Sequence, residues 1–158
     1  MGKRQVHVVR VSKPVAIALL ALTTAAMIGL VWFLSGKAYA ANAHPFRELI
    51  ARLLSSERPL SRGLVLALVM PVTANILLFV PWGFFAFVAL DTKTRPRKSS
   101  YAITVLAAFA FALAICLWEQ SLPTRVTALP DTISNAVGAL AGAALGHARK
   151  SVRVRFAV

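Results

Sequence analysis

The feature that most constrains this chain is the alternation of long apolar runs with clusters of positive charge. Four runs, 14–34, 64–90, 101–118 and 132–147, contain no Asp, Glu, Lys or Arg. A helix needs about 20 apolar residues to cross a hydrocarbon core about 30 Å thick, with a working range that begins near 17. The first three runs reach that length directly, and the fourth does so if its helix begins near Leu129. A water-soluble domain of 158 residues would instead show amphipathic helices or alternating strands, with charge spread throughout. The pattern predicts an all-α polytopic membrane protein, a single domain over 1–158. Its four transmembrane helices fall at about 14–34, 64–90, 101–118 and 129–147, with an outer loop over 35–62 and a basic tail over 148–158.

The net charge of +13 invites a nucleic-acid reading, but the placement of the charges argues against one. Lys3, Arg4, Arg10 and Lys13 precede the first run; Lys93, Arg95, Arg97 and Lys98 lie between the second and third; Arg149, Lys150, Arg153 and Arg155 follow the fourth. The remaining two loops hold Lys37, Arg47, Arg52, Arg58 and Arg62, and Arg125 alone, so alternate sides of the membrane carry twelve and six basic residues. The positive-inside rule then places both termini and the 91–100 loop in the cytoplasm. The same charges attract anionic head groups, so membrane lipids are the expected partners and nucleic acid is not.

Cys116 is the only cysteine, which removes any intrachain disulfide or cysteine metal site. His44 has no second histidine at ligand spacing, so neither a metal nor a cofactor is expected. The N-terminus resembles a secretory signal, with a basic head, an apolar stretch and Ala38-Tyr39-Ala40. Signal cores run to about 7–15 residues, however, and this one approaches a full span, which favours retention over cleavage after Ala40.

Within the outer loop, Phe46, Leu49, Ile50, Leu53 and Leu54 recur at helical spacing opposite Arg47, Glu48 and Arg52. That pattern suits a short amphipathic helix, lying on the bilayer surface or packed on the spans. The second span carries Pro71, Asn75, Pro81 and Gly83. An unpaired amide is costly in lipid, so Asn75 is expected to face the bundle and bond to another helix, as helix–helix glue or as a ligand contact. On the fourth span, Asp131, Asn135, Gly138, Gly142 and Gly146 fall within one sector of about 80° at 100° per residue, with Ile133, Val137, Leu140 and Ala144 opposite. Glycines at four-residue spacing let another backbone approach closely. Asp131 follows Pro130 at a helix start, where a carboxylate caps free N–H groups and complements the dipole.

Glu119, Arg125, Asp131 and Asn135 are expected to converge at the outer membrane–water boundary. A carboxylate whose pKa burial raises would suit acid–base work, which makes Glu119 and Asp131 the candidates if there is catalysis. Arg125 would suit a phosphate or carboxylate, and with Asn75, Asp131 and Asn135 it forms the candidate binding set. The plain structural alternative is an Arg125 ion pair pinning the outer loop. No nucleotide loop, zinc motif or serine elbow is present, which favours a binding role over an enzymatic one.

Two segments resemble the VanZ-like family of small bacterial integral membrane proteins. NILLFVPWGFF is similar to its membrane-helix pattern at Asn75, Phe79, Pro81 and Gly83. LPTRVTALPDTISNAVGALAG is similar to its closing signature at Arg125, Asp131, Asn135 and Gly138. One departure is the family's Glu-x-x-Gln before the arginine, which here falls at Cys116 and Glu119, with Gln120 adjacent. The resemblance implies a multi-pass protein of the bacterial inner membrane with a cell-envelope role, in a family whose founding member is linked to teicoplanin resistance. The expected partners are lipid-linked envelope precursors or a glycopeptide antibiotic. The alternatives it leaves are an enzyme acting on a lipid-phosphate or glycolipid, and a structural accessory of envelope or exopolysaccharide assembly.

Overall fold

The computed structural model describes residues 11–35, 62–120 and 129–149. These form four helices, α1 Lys13–Ser35, α2 Arg62–Leu90, α3 Arg97–Gln120 and α4 Leu129–Ala148, with no strand among the described residues. The expected amphipathic helix of the outer loop, the Ala38-Tyr39-Ala40 site and most of both basic ends lie outside them. Three helices are long and apolar enough to cross a membrane, over Lys13–Phe33, Val69–Leu90 and Arg97–Trp118. The fourth, α4, has 20 residues and is about 30 Å long, but Asp131, Ser134, Asn135 and its glycines dilute its apolar character. The all-α expectation therefore holds, and three of the four expected spans meet the requirement on composition alone.

One boundary differs from the sequence expectation. The connector read over 91–100 is shorter, because α3 begins at Arg97. The Pro96 carbonyl accepts the amides of Ser99 at 3.0 Å and Ser100 at 3.3 Å, so the helix starts as soon as the proline has turned the chain. Proline has no amide to lose at such a place, and its fixed φ suits a helix entry.

Inter-helix pairs fix the directions of the helices. Asn75, Ile76, Val80 and Phe84 of α2 meet Asp131, Gly138, Gly142 and Gly146 of α4 in ascending order, so these two helices run parallel. By contrast Phe79 meets Phe111 and Phe87 meets Tyr101, so α3 runs antiparallel to α2. Trp32 at the end of α1 stacks on Trp118 near the end of α3, with centroids 5.9 Å apart, which sets those two helices parallel. The directions alternate along the chain, as serial crossings of one slab would require.

The α2–α4 seam is made by glycine. A Cβ placed on Gly142 would lie 2.7 Å from the Phe84 amide nitrogen and closer still to the Val80 carbonyl oxygen. One on Gly138 would lie 2.9 Å from the Ile76 Cα, and one on Gly83 would collide with the backbone of Ala139. The two backbones are therefore in van der Waals contact from both sides. Lipid tails are as apolar as leucine, so helices associate in a bilayer through such close packing and through hydrogen bonds. The opposite face of α4, with Ile133, Val137, Leu140 and Leu145, is exposed, as a lipid-facing surface would be.

Helices α1 and α3 close on this pair through an aromatic cluster. Phe79, Trp82 and Phe111 lie with ring centroids 6.0 to 6.1 Å apart, within the range for favourable tilted or offset ring pairs. The Trp82 indole donates to Thr24 Oγ at 2.9 Å, and Thr24 in turn donates to the Leu20 carbonyl at 2.8 Å. The buried N–H is thereby satisfied, and α1 is tied to α2 by a polar side-chain link.

Gly142→Ala should destabilise the bundle by about 1–3 kcal/mol, the usual cost of overpacking where backbone cannot yield. Gly29→Ala, at a site with nothing within 4 Å, should leave the melting temperature in detergent unchanged or slightly raised. Equal melting temperatures for the two variants would refute the glycine seam.

Candidate functional site

Asn75 lies on the face of α2 that meets α4, and its Nδ2 donates to Asp131 Oδ1 at 3.0 Å. The partner expected for this amide on another helix is thus the first-turn carboxylate of α4. It is Leu129 that opens α4, which puts Asp131 inside the first turn, where its charge complements the positive end of the dipole. Ser134 Oγ donates to the Pro130 carbonyl at 2.7 Å, which satisfies that hydroxyl locally.

Asn135 follows Asp131 by one turn on the same face, and Gly138 continues that face against Ile76. The Asn135 Oδ1 atom is buried and has no hydrogen-bond partner among the described residues. Most buried polar atoms in folded proteins are paired, so an orphaned acceptor here marks a place where a donor is wanted. The structure thus joins Asn75 to Asp131 and sets Asn135 one turn deeper. Arg125 and the side chain of Glu119 lie outside the described residues; the backbone of Glu119 belongs to the last turn of α3. Of the motif residues, Phe79 is buried in the aromatic cluster, Pro81 is exposed, and Gly83, Gly138 and Gly142 form the seam. Gly146 is looser, with Phe87 Cδ1 at 3.2 Å and the Phe84 carbonyl at 3.3 Å from its would-be Cβ.

A second polar group sits at the opposite end of the bundle, and the sequence reading did not identify it. Tyr101 Oη lies 3.0 Å from His147 Nδ1, and Arg97 Nη1 lies 3.4 Å from His147 Nε2. A guanidinium can only donate, so Nε2 accepts and Nδ1 carries the proton toward the Tyr101 oxygen. The imidazole also lies against the Phe87 ring, with centroids 6.1 Å apart and planes 23° from parallel. Beside it Arg149 Nη2 and Asp91 Oδ2 form an ion pair at 3.8 Å, with the Asp91 side chain only 6% exposed. Burial pushes the Arg149 guanidinium below its ordinary pKa, and Asp91 pulls it back up. The available signal was Asp91, an acid placed directly after an apolar run, which needs a cation within reach. No group of three or more His, Cys, Asp or Glu side chains suited to a metal occurs among the described residues.

A family model described as VanZ/LLP1 matches residues 15–150, most of the chain. The match takes in both polar groups and all four helices. No curated protein and no solved structure matches the chain.

The Asn75–Asp131 bond should contribute a coupling of about 0.6 kcal/mol and no more than about 1.7, the range for interhelical polar pairs in membranes. A double-mutant cycle of Asn75→Ala and Asp131→Ala, read by reversible unfolding in mixed micelles, measures it. Strict additivity of the two losses would show that the pair does not hold the helices together.

Proposed function

The chain belongs to the VanZ/LLP1 family, and from that premise we propose a four-span envelope protein of the bacterial inner membrane that binds an amphiphile at the outer membrane–water boundary. The fourth span is α4: it runs parallel to α2 and keeps register with it from Asp131 beside Asn75 to Gly146 beside Phe84. A helix so paired crosses wherever its partner crosses. The twelve basic residues near one set of helix ends put both termini in the cytoplasm. The Asn75–Asp131 end then faces outward.

The observation that carries the binding reading is the buried, unpartnered Oδ1 of Asn135, one turn below the Asp131–Asn75 pair. An amide oxygen kept out of water costs about 1–3 kcal/mol if it stays unpaired. A ligand that brings an N–H or O–H donor removes that cost. Arg125, six residues before Asp131 in the chain, supplies a guanidinium suited to a phosphate or carboxylate on the same ligand. Lipid-linked envelope precursors carry both kinds of group. So does a teicoplanin-type glycopeptide, with its acyl tail, and lowered susceptibility to such an antibiotic would follow from changed access of that tail to the surface.

Asp131 already accepts the Asn75 amide, which supports a positioning role for it over proton transfer. The rival reading, an enzyme on a lipid-phosphate or glycolipid, needs Asp131 or Glu119 as acid or base. Asp131→Asn separates the two, because it keeps an acceptor for Asn75 while removing the titrating group. Full activity of this variant in a glycopeptide-susceptibility or envelope-stress assay is the expected result; a loss of about a hundredfold or more, the usual contribution of an acid–base group, would favour the enzyme.

Native mass spectrometry of gently extracted protein tests the binding reading itself. The wild-type chain should retain an amphiphile that Asn135→Leu and Arg125→Ala both lose while still melting cooperatively. If Asn135→Leu raises the melting temperature and the adduct persists, the amide is a packing defect and the binding reading falls.

A further inference from the structure

We propose that Arg97 is a site for the phosphate of an anionic phospholipid, at the end of the bundle opposite Asn75 and Asp131. The inference is independent of the outer-boundary reading, and it differs from a general attraction of basic residues to a charged surface. Arg97 is exposed, and among the described residues its side chain has one polar partner, the Nε2 of His147. That partner is a neutral acceptor. It orients the guanidinium without cancelling its charge, as a carboxylate would.

The holder is itself fixed. His147 is bonded to Tyr101 through Nδ1 and lies along the Phe87 ring, so three helices, α2, α3 and α4, define the imidazole's position. An arginine held by one nitrogen keeps its other donors for a second acceptor, and a fork of that shape matches two oxygens of a phosphate. Pre-orienting it reduces the entropy lost on binding.

Electrostatics and level agree with this. Among the described residues the acid at this end of the bundle is Asp91, and it is paired with Arg149. Exposed Lys93, Arg95 and Lys98 raise the local positive potential. Arg97 is also the first residue of the apolar stretch Arg97–Trp118, which puts its side chain where hydrocarbon gives way to head groups. A soluble phosphate would meet the same donors, but a lipid phosphate arrives at this level with its acyl chains beside α3.

The test uses the full-length protein in a neutral detergent, where no charged surface supplies diffuse attraction. Phosphatidylglycerol or phosphatidylcholine is added, and retained adducts are read by native mass spectrometry. The wild type should hold phosphatidylglycerol in preference to phosphatidylcholine. Lys93→Gln and Arg97→Gln remove equal charge, yet the second should weaken retention about tenfold more, as loss of a charge-assisted bond predicts. His147→Phe removes no fixed charge and keeps a ring beside Phe87; it should weaken retention about threefold by releasing Arg97. Equal losses for Lys93→Gln, Arg95→Gln and Arg97→Gln would overturn the site in favour of diffuse attraction. Displacement of the lipid by millimolar inorganic phosphate, with no preference between the two lipids, would overturn the lipid assignment.

Discussion

The structure depends on two helix backbones lying directly against each other. Gly138 and Gly142 of α4 admit the carbonyls of Ile76 and Val80, and Gly83 of α2 admits Ala139 in return. Contact at this distance is the principal attraction open to helices in lipid, where no hydrophobic force separates a leucine from an acyl chain. Once α2 and α4 are joined, the remaining helices need only flank them. α3 does so with Phe111 on Phe79 and Trp82, and α1 through Thr24 beneath the Trp82 indole. The seam also sets the polar chemistry, because the helical row that carries the glycines carries Asp131 and Asn135 at its start. Register at Gly142 delivers Asp131 to Asn75.

Polar groups inside this bundle are handled in two ways. Several hydroxyls bond to their own helix: Thr104 to the Ser100 carbonyl at 2.8 Å, Ser134 to Pro130, and Thr23 and Thr24 to Leu20. Such bonds need no partner helix and say little about function. Longer side chains reach across: Asn75 to Asp131 at one end, Tyr101 and Arg97 to His147 at the other, and Trp82 to Thr24 between them. The middle is left to aromatic and small residues, such as Ala108, Ala112, Ala139 and Ala143, which are almost wholly buried. Ends near the head-group region are where water and lipid phosphates are available, and where a polar cluster is least costly.

Much of this was legible in the chain for a simple reason. A period of 3.6 residues places positions 131, 135, 138, 142 and 146 in one row, whatever the rest of the molecule does, and a lone amide in an apolar run must find a partner. Those two facts gave the seam and predicted that Asn75 would bond to another helix. The Trp82–Thr24 link was not legible, because threonine in a membrane helix is normally self-satisfied and tryptophan is common near membrane interfaces. His147 and Arg149 were hidden by their positions. Charges at the ends of spans read as topology signals, and nothing in the spacing says that residues 91, 97, 101, 147 and 149 share a corner. That depends on α2 and α4 ending at the same level, a consequence of the seam and not of either helix alone. The start of α3 was misplaced because polar residues after Pro96 resemble a connector, although the helix geometry there asks only for a free first turn.

The seam also explains why Asn135 Oδ1 has no hydrogen-bond partner among the described residues. Inside a helix every amide N–H is already bonded to the carbonyl four residues earlier, so a backbone brought into close contact exposes carbonyl oxygens and no donors. Asn135 Oδ1 is an acceptor, and the α2 backbone that the seam brings against Gly138 and Gly142 presents the Ile76 and Val80 carbonyl oxygens. The glycines that follow it carry no side chain that could donate. The Asn75 Nδ2 gives one N–H to Asp131, and neither of its donors reaches Asn135 Oδ1. Among the described residues no donor reaches it. The close approach of α2 and α4 thus does more than hold the bundle together: it leaves a buried acceptor at its polar end with no donor among the described residues.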